Sequence, residues 1–438
     1  MRHVTRLWAA LIIALAIGGV AIVVATSTGG LSWFDNADGE LATNQDGTPG
    51  QLAPDAAGGS NLESVPSGEP GVFDDYILFG QSAAFSGPAN ELGINMRLGI
   101  KAAFQEVNQR GGVNGRQLEL KFMDDAYEPE AAITNTKQLI EDGVFALIGA
   151  VGTPTSRSAT PVAAEEGIPY VAPFTGAAFL RDPEWQNIVN LRASYNQETE
   201  EMVERLTEDL GIERIAVMYQ DDSYGRAGYS GATSALARRG MEPVSVGLYP
   251  RNTLAVKTGL LDLRKGNPEA VIIIGAYQPV AALISWARFI GMDPIFMTVS
   301  FVGSNALAEE LVSMELRSAG TGVFVTQVVP FPSDTSLPIV QSYHRALSDF
   351  APAAEPGFVS FEGYLAGRLA IAALERCGRD VTRTCFLDII RNEEPFDLDG
   401  FEIRYGLDDN QGSDAVFLTV IGRDGAYHPI STLLESER

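Results

Sequence analysis

Two long series of alternating strand and helix patterns dominate this sequence and limit the folds open to it. The first series runs from an apolar segment at residues 76–79 to another at 170–172. The second runs from a helical pattern near Asn196 to an apolar segment at 295–298. Strands that alternate with helices usually pair in parallel and are covered by helices on both faces. The sequence therefore predicts an α/β protein with two doubly wound lobes.

Length and composition agree with two lobes and exclude several function classes. The chain has 438 residues, of which 45% are hydrophobic and 20% charged, as in ordinary globular proteins. Its formal charge of −25 disfavours nucleic-acid binding. Three His and two Cys leave little material for a zinc site, a Cys-rich metal domain or a Ser-His-Asp triad. We expect no metal, no cofactor and no catalytic set.

The N-terminus carries an export signal. Arg2, His3 and Arg6 precede an apolar run over residues 7–25, and no further Lys or Arg occurs before Arg97. Basic residues that flank an apolar segment on one side stay in the cytoplasm, so the rest of the chain is predicted to be exported. The run fits either a cleaved signal peptide or a retained anchor. The predicted location is the periplasm or the outer face of the cytoplasmic membrane.

Residues 26–74 have the composition of a flexible linker. They are rich in Gly, Ser, Pro, Asn, Asp and Ala and contain few large apolar residues. Such a segment buries too little surface to offset the entropy lost on ordering.

The loops that follow the predicted strands are the expected place for a ligand. In doubly wound sheets, ligands bind beyond the carboxyl ends of the strands. The loops in question follow Phe79, Ile148, Ala172, Tyr219, Ile274 and Thr298.

The two cysteines, Cys377 and Cys385, stand eight residues apart between two predicted helices. In an exported protein we expect them to form a disulfide that fixes the turn between those helices. Their spacing is not that of a Cys-X-X-Cys redox motif.

Several segments, in this order and spacing, resemble a known family. They are GQSAAFSG at 80–87, QEVNQRGGVNGRQLEL at 105–120, LIGAVGTPTSRSATPVAAEEGIPYVAPFTGA at 147–177, AVMYQDDSYGRAG at 216–228 and VIIIGAYQPVAALISWARFIG at 271–291. Together they look like type I periplasmic binding proteins of the branched-chain amino-acid (leucine/isoleucine/valine-binding) class. The resemblance covers residues 75–430.

This resemblance implies two α/β lobes joined by three crossings, with a solute held in the cleft between them. Lobe 1 would combine residues 75–193 with 324–400. Lobe 2 would combine residues 194–323 with 401–434.

The resemblance also implies a site in lobe 1 for the ligand's carboxylate. Hydroxyls and backbone N–H groups of two loops would form it, and the matching residues are Thr153, Thr155, Phe174 and Thr175. The first loop precedes a helix, where free N–H groups favour an anion. Thr153 or Thr155 could equally serve as a helix N-cap.

Aromatic residues complete the implied site. Tyr224 matches the ring by which lobe 2 covers the ligand, and Tyr277 matches a similar position after a buried strand. A structural role for Tyr224 in packing its turn is the alternative. Phe85 and Ser86 face the cleft by position, although Phe85 could be a core or hinge contact.

The sequence departs from the family where amino-acid binders carry acids for the ligand's ammonium. Gln197 and Ser300 stand at those positions, with Glu198 adjacent to the first. A buried ammonium without a partner is costly. An amide, an organic or aromatic acid, or another amino-acid-like solute is therefore expected rather than a standard α-amino acid.

The function implied is that of a monomeric solute receptor for an ABC importer, with the membrane permease as its partner. The alternative is a tethered sensor domain that signals to a membrane partner. Paired acids such as Asp124-Asp125 and Asp221-Asp222 lack a suitable base, so they predict solvated loop ends rather than an enzyme.

Overall fold

The computed structural model describes residues 68–314, 320–392 and 394–435. The apolar run at 7–25 and the linker up to residue 67 lie outside these ranges. Within the described ranges, no helix is both long and apolar enough to cross a bilayer. The described residues form the two α/β lobes expected from the sequence.

Lobe 1 is built on a parallel sheet with the strand order β2-β1-β3-β4-β5. Its strands are β1 (Tyr76–Ala83), β2 (Gln117–Asp124), β3 (Ala146–Ile148), β4 (Tyr170–Val171) and β5 (Ile188–Val189). The connecting helices are α1 (Asn90–Asn108), α2 (Pro129–Glu141) and α3 (Thr153–Glu165). Apolar side chains of β1 and β3 are buried, which explains why these short runs predicted strands.

Lobe 2 continues the same alternation. The chain enters it through α4 (Tyr195–Glu204), which ends in a π-helical turn over Arg205–Asp209. There follow β6 (Ile215–Gln220), α5 (Ser223–Arg238), β7 (Val246–Tyr249), α6 (Lys257–Lys265), β8 (Ala270–Ile274), α7 (Tyr277–Phe289), β9 (Ile295–Thr298), α8 (Ser304–Ser313) and β10 (Val323–Gln327). The apolar segment predicted at 295–298 has the same bounds in the structure, and β8 ends at Ile274 as predicted.

The remaining chain returns to lobe 1 and then completes the second sheet. Its elements are α9 (Pro338–Phe350), α10 (Phe358–Cys377), α11 (Arg383–Arg391), the hairpin β11 (Phe396–Leu398) and β12 (Phe401–Ile403), and the strands β13 (Phe417–Ile421) and β14 (Tyr427–Ile430). The second sheet has the order β14-β13-β10-β9-β8-β6-β7. Both β13 and β14 are antiparallel to their neighbours, while β6 to β10 are parallel.

Close backbone contact between α1 and α10 attaches the returning segment to lobe 1. A Cβ on Gly99 would come 1.8 Å from the Ser360 carbonyl oxygen, and one on Gly363 would come 2.3 Å from that of Met96. Only glycine permits this approach without a shift of the backbone. Helix α10 therefore packs directly on α1 of lobe 1.

Three predicted boundaries are corrected by the structure. Residues 324–327, expected in lobe 1, belong to β10, which pairs with β9 and β13 in the second sheet. Residues 401–403, expected in lobe 2, pair with β11 in a separate hairpin. Val72, expected in the flexible linker, is buried and forms a β-bridge with Ile77. An apolar run identifies a strand, but it does not identify the sheet that the strand joins.

The first and third crossings run side by side between the lobes. Asn190 donates its backbone N–H to Asn410 and accepts the N–H of Gly412 at 2.8 Å each. The Asn190 side-chain amide also donates to the carboxamide oxygen of Asn410. These two paired segments are therefore candidates for the hinge between the lobes.

Candidate functional site

Three hydroxyl groups lie close together in the segments that follow β3, β4 and β5. Thr153 is the first residue of α3, and its Oγ1 lies 2.7 Å from Oγ1 of Thr175 in the loop after β4. The Thr175 hydroxyl also lies 3.2 Å from the Tyr195 hydroxyl. All three side chains are buried. We call Thr153, Thr175 and Tyr195 the hydroxyl cluster.

Backbone geometry brings the two loops of the hydroxyl cluster together. Gly152 has a φ of 103°, and a Cβ there would lie 2.2 Å from the Tyr127 ring. The Gly152 N–H donates to the Phe174 carbonyl, and Val151 forms a parallel bridge with Phe174. The turn before α3 therefore requires glycine, and it aligns the start of the helix with the loop that carries Thr175.

Aromatic rings from both lobes surround the hydroxyl cluster. Phe301 of lobe 2 is central, with its ring centroid 4.4 Å from that of Tyr224, 5.4 Å from Phe174, 6.1 Å from Tyr127 and 6.5 Å from Tyr195. Tyr127 and Phe174 belong to lobe 1. All five side chains are at most 1% exposed. We call Tyr127, Phe174, Tyr195, Tyr224 and Phe301 the aromatic cluster.

The tyrosines of this cluster remain protonated hydrogen-bond donors at neutral pH. Burial raises the pKa of Tyr195 to about 12, although the nearby Arg192 charge opposes the shift. Burial also raises the pKa values of Tyr127 and Tyr224 well above the usual value. A phenol that stays neutral can donate to an oxygen of a bound molecule.

A helix N-cap positions Tyr224. The Asp222 carboxylate accepts the backbone N–H groups of Tyr224 at 2.9 Å and of Gly225 at 3.1 Å. The Tyr224 hydroxyl donates to the Gly275 carbonyl at 3.3 Å. This explains why the DSYG segment places an aromatic ring at the cleft: the cap fixes the first turn of α5 and its second residue turns inward.

A buried group of charged residues lies behind Phe174. Arg192, on the first crossing, stacks on the Phe174 ring with its guanidinium 4.8 Å from the ring centroid. It forms ion pairs with Glu198 of α4 at 3.5 Å and with Glu362 of α10 at 3.7 Å, and it hydrogen-bonds the Ser300 hydroxyl. We call Arg192, Glu198, Ser300 and Glu362 the charge cluster. It connects the crossing with both lobes.

The acceptor capacity of Glu198 is used within the protein. One carboxylate oxygen accepts from the Ser300 N–H and from the Thr326 hydroxyl, each at 2.7 Å. The other accepts from the Ser300 hydroxyl at 3.0 Å and faces Arg192. Three hydrogen bonds and the charge of Arg192 thus satisfy most of the acceptor capacity of this carboxylate. Glu198 therefore has little capacity left for an ammonium group of a ligand.

Glu362 and Arg192 are less completely satisfied than Glu198. Burial raises the pKa of Glu362 to about 7, although the Arg192 charge works in the opposite direction. Within the described part of the chain, Nε and Nη1 of Arg192 have no hydrogen-bond acceptor. The charge cluster thus holds a permanent cation beside an acid that is only partly ionised at neutral pH.

The family profile for periplasmic binding proteins matches residues 77–426. The chain is a type I periplasmic binding protein. It is 37% identical to a possible leucine/isoleucine/valine-binding protein from Rhodopirellula baltica SH 1, with a TM-score of 0.78, over 83% of this chain and 98% of that one. The match confirms the family that the sequence motifs predicted.

Two further relatives show how widely this fold is used. The leucine-, isoleucine-, valine-, threonine-, and alanine-binding protein of Pseudomonas aeruginosa is 25% identical over 53% of this chain. That alignment covers 62% of the relative, so the chain spans less than two thirds of its length. A fatty acid ABC transporter substrate-binding protein from Thermomonospora curvata is 22% identical, with a TM-score of 0.73, over 89% of this chain and 95% of that one.

The structure brings together half of the ten predicted site residues of this periplasmic binding protein. Thr153, Phe174, Thr175 and Tyr224 all lie in the hydroxyl or aromatic cluster. Tyr277 lies at the cleft as well, where its hydroxyl donates to Asn90 of lobe 1 at 2.8 Å. Whether these residues touch a ligand remains a prediction.

Thr155 and Gln197 have structural partners instead. The Thr155 hydroxyl donates to the carbonyls of Val151 and Gly152 in its own turn. The Gln197 side chain forms a capping box with Ser194 at the start of α4 and donates to Asp414 at 2.7 Å. Gln197 therefore fixes the helix start and the third crossing, and its neighbour Glu198 is the residue that points inward.

Ser300, Phe85 and Ser86 also differ from the expectation. Ser300 binds Glu198 and Arg192 in the charge cluster, and its neighbour Phe301 enters the aromatic cluster. The Phe85 ring packs edge-to-face on Phe122 and under the Arg97 guanidinium. Ser86 is exposed. The structure thus places Phe85 and Ser86 apart from the two clusters.

Sequence reasoning missed Tyr127, Tyr195, Phe301 and the charge cluster as a unit. Tyr127 follows the end of β2, a strand whose loop was not considered, so the strand-end rule would have found it. Phe301 lies in the loop after Thr298, one residue after the predicted site residue Ser300. Arg192 and Glu362 are 170 residues apart, and no local pattern indicates that they meet.

Proposed function

We propose that this periplasmic binding protein is the extracytoplasmic solute receptor of an ABC importer. It acts as a monomer, closes its lobes on a small organic acid and delivers it unchanged to the membrane permease. The acid has an apolar or aromatic body and no α-amino group.

The observation that carries the proposal is the meeting of aromatic rings from both lobes around the hydroxyl cluster. Thr153 offers a hydroxyl at the start of α3, where the helix dipole favours an anion, and Thr175 lies 2.7 Å from it in the loop after β4. Tyr127 and Phe174 on one side, and Tyr224 and Phe301 on the other, offer apolar faces to the rest of a solute. A solute held between them would link the lobes and favour closure.

The charges near the site argue against an amino acid. Glu198 is occupied by Ser300, Thr326 and Arg192. Arg192 stacks on Phe174 and Arg181 donates to the Thr175 carbonyl, and both cations favour a negative ligand. A bound ammonium group would face these cations, and the Glu198 carboxylate is already engaged by protein donors, so burial of the ammonium is costly.

Calorimetry with matched pairs of solutes tests the proposal. 3-Phenylpropanoate and phenylalanine differ only in the amino group, and so do 4-methylpentanoate and leucine. We expect each acid to bind about 10-fold or more tightly than its amino acid, since the ammonium would lose its hydration without gaining a partner. Tighter binding of leucine and phenylalanine would contradict the ligand class. Failure of all four, and of amides in the same panel, would contradict the site.

A further inference from the structure

Two loops meet across the cleft at a place separate from the aromatic cluster. One follows β2 in lobe 1 and contains Ala126 and Glu128, while the other follows β7 in lobe 2 and contains Arg251 and Asn252. The Arg251 guanidinium lies 2.5 Å from a Glu128 carboxylate oxygen. The Asn252 amide donates to the other Glu128 oxygen at 2.7 Å and to the Ala126 carbonyl at 3.1 Å.

The backbone on both sides of this contact is in the left-handed region. The φ angles are 48° at Ala126, 62° at Tyr127 and 55° at Asn252. Asparagine tolerates this conformation, but alanine and tyrosine adopt it only when their surroundings hold them there. On the lobe 1 side, Asp124 and Asp125 accept the N–H groups of Ala126 and Tyr127 at 2.8 and 2.9 Å. Across the cleft, Asn252 holds the same turn through the Ala126 carbonyl.

This turn controls the direction of the Tyr127 ring. Tyr127 follows Ala126 directly, and its ring lies in the aromatic cluster against Phe301 of lobe 2. Its hydroxyl also accepts the Gln220 amide of lobe 2 at 3.5 Å. Loss of the Asn252 contact would therefore release a strained turn that aims an aromatic ring into the site.

Arg251 is connected to the opposite side of the site as well. Its second terminal nitrogen lies 3.8 Å from Asp222, the residue that caps α5 and positions Tyr224. Asp222 also accepts the Gln220 amide at 2.6 Å. Arg251 therefore lies between Glu128 of lobe 1 and Asp222, which positions the Tyr224 ring in lobe 2.

We propose that Glu128, Arg251 and Asn252 form an interlobe latch, a set of positioning residues that stabilises the closed arrangement of the lobes and slows solute release. The latch rests on the proposed function insofar as closure retains a solute. Its residues act through Tyr127 and Tyr224 and need not touch the solute. Arg251 is 24% and Glu128 43% exposed, so the contact can break and reform as the lobes open and close.

The distance between the lobes in the absence of any solute tests the latch. Spin labels on Lys137→Cys in α2 and Arg264→Cys in α6, both exposed positions, report this distance in the disulfide-intact protein. We expect Arg251→Ala to lower the ratio of closed to open molecules about 2- to 5-fold. Asn252→Gly should act in the same direction; glycine keeps the left-handed backbone and removes only the amide.

A double-mutant cycle distinguishes a latch from general loss of charge. Glu128→Ala and Arg251→Ala should be non-additive, with the double variant little more open than Glu128→Ala alone, because Glu128 is the interlobe partner of both Arg251 and Asn252. Arg251→Lys should recover part of the closed population. Arg214→Ala is the matched control, since Arg214 pairs with Glu269 within lobe 2 at 3.5 Å. Unchanged distances in the Arg251 and Asn252 variants, or additive effects, would overturn the proposal.

Stopped-flow release of 3-phenylpropanoate separates the latch from the proposed function. The latch predicts dissociation about 2- to 5-fold faster in Arg251→Ala, with an unchanged association rate. If wild-type protein does not bind this probe, the proposed ligand class fails, while the solute-free distances still decide the latch.

Discussion

At the residue scale, the site contains some side chains that can still hydrogen-bond a ligand and others whose hydrogen bonds are made within the protein. The Thr153 hydroxyl contacts that of Thr175 at 2.7 Å and retains capacity for a further partner, whereas the Thr175 hydroxyl also contacts the Tyr195 hydroxyl and accepts the Ala177 N–H. Thr155, two residues away, donates into its own turn. The TPT segment therefore contains one threonine that can serve a ligand and one that stabilises the start of the helix.

Substitution of Thr153 by valine tests this division. The change keeps the shape of the side chain and removes the hydroxyl, so affinity for a carboxylate solute should fall by about 1–2 kcal/mol. Thr160→Val is the matched control, because the Thr160 hydroxyl is buried in the same helix without a hydrogen-bond partner among the described residues. Calorimetry with 3-phenylpropanoate should find weaker binding only in the Thr153 variant. An equal affinity in both variants would remove Thr153 from the site.

The positions of individual residues could be derived from the sequence where the signal was local. Thr153, Thr175 and Tyr224 each follow the end of a buried strand, so position along the chain was enough to bring them to the cleft. The predictions of Gln197 and Ser300 were each displaced by one residue. The side chains that point inward are those of their neighbours, Glu198 and Phe301. The inward direction depends on the helix cap at Ser194 and on the short 3₁₀ turn Ser300–Val302, and neither feature is visible in the spacing of apolar residues.

At the element scale, the turn between α10 and α11 is closed by a covalent bond. The sulfur atoms of Cys377 and Cys385 are joined, with their Cα atoms 6.0 Å apart. Cys377 is the last residue of α10, and Thr382 caps α11 by accepting the Cys385 N–H at 3.0 Å. The bond and the cap together fix how α11 leaves α10.

The disulfide should contribute to stability by restricting the unfolded chain. A closed loop of nine residues predicts about 2–3 kcal/mol from loop entropy. Protein purified from an oxidising compartment and unfolded without reductant should contain no reactive thiol. The double variant Cys377→Ser/Cys385→Ser should unfold at a correspondingly lower urea concentration. Two titratable thiols in the wild-type protein, or equal stability of the variant, would contradict this prediction.

Elements were predicted well from periodicity, and their assembly less well. Strands β8 and β9 are fully buried and, apart from Thr298, apolar, so their bounds could be derived from the sequence alone. The two-residue strand β5 is too short to produce a pattern. Membership of β10 in the second sheet depends on pairing with β9 and β13, of which β13 lies about 90 residues further along the chain. Long-range pairing of this kind leaves no local signal.

At the scale of the whole molecule, the charge cluster joins the crossing to both lobes and makes stability depend on pH. Burial raises the pKa of Glu362 from its ordinary value of 4.5 to about 7, although the Arg192 charge opposes the shift. Folding therefore favours the protonated form. The stabilisation from this group is complete below about pH 4.5 and is lost as the pH rises through about 7.

Glu362→Gln should remove this pH dependence, since glutamine stays neutral. We expect the free energy of unfolding of the variant, relative to wild type, to rise by about 1–3 kcal/mol between pH 5 and pH 8. Burial also raises the pKa of Asp125 to about 7. Asp125 titrates alike in both proteins, so its effect on the free energy of unfolding cancels in the comparison. The exposed Glu402→Gln is the control. The role of Glu362 would be contradicted if urea unfolding gave the same difference in free energy of unfolding between variant and wild type at pH 5 and at pH 8.

Native mass spectrometry under competition tests the central claim that the cleft holds a small organic acid without an amino group. Freshly purified protein, alone and after incubation with equal amounts of 3-phenylpropanoate and phenylalanine, would be compared with Thr153→Val and Tyr224→Leu. We predict one acid molecule per monomer, carried through purification or taken from the mixture, with lower occupancy in both variants. A bound amino acid, or an occupancy that neither substitution changes, would contradict the claim.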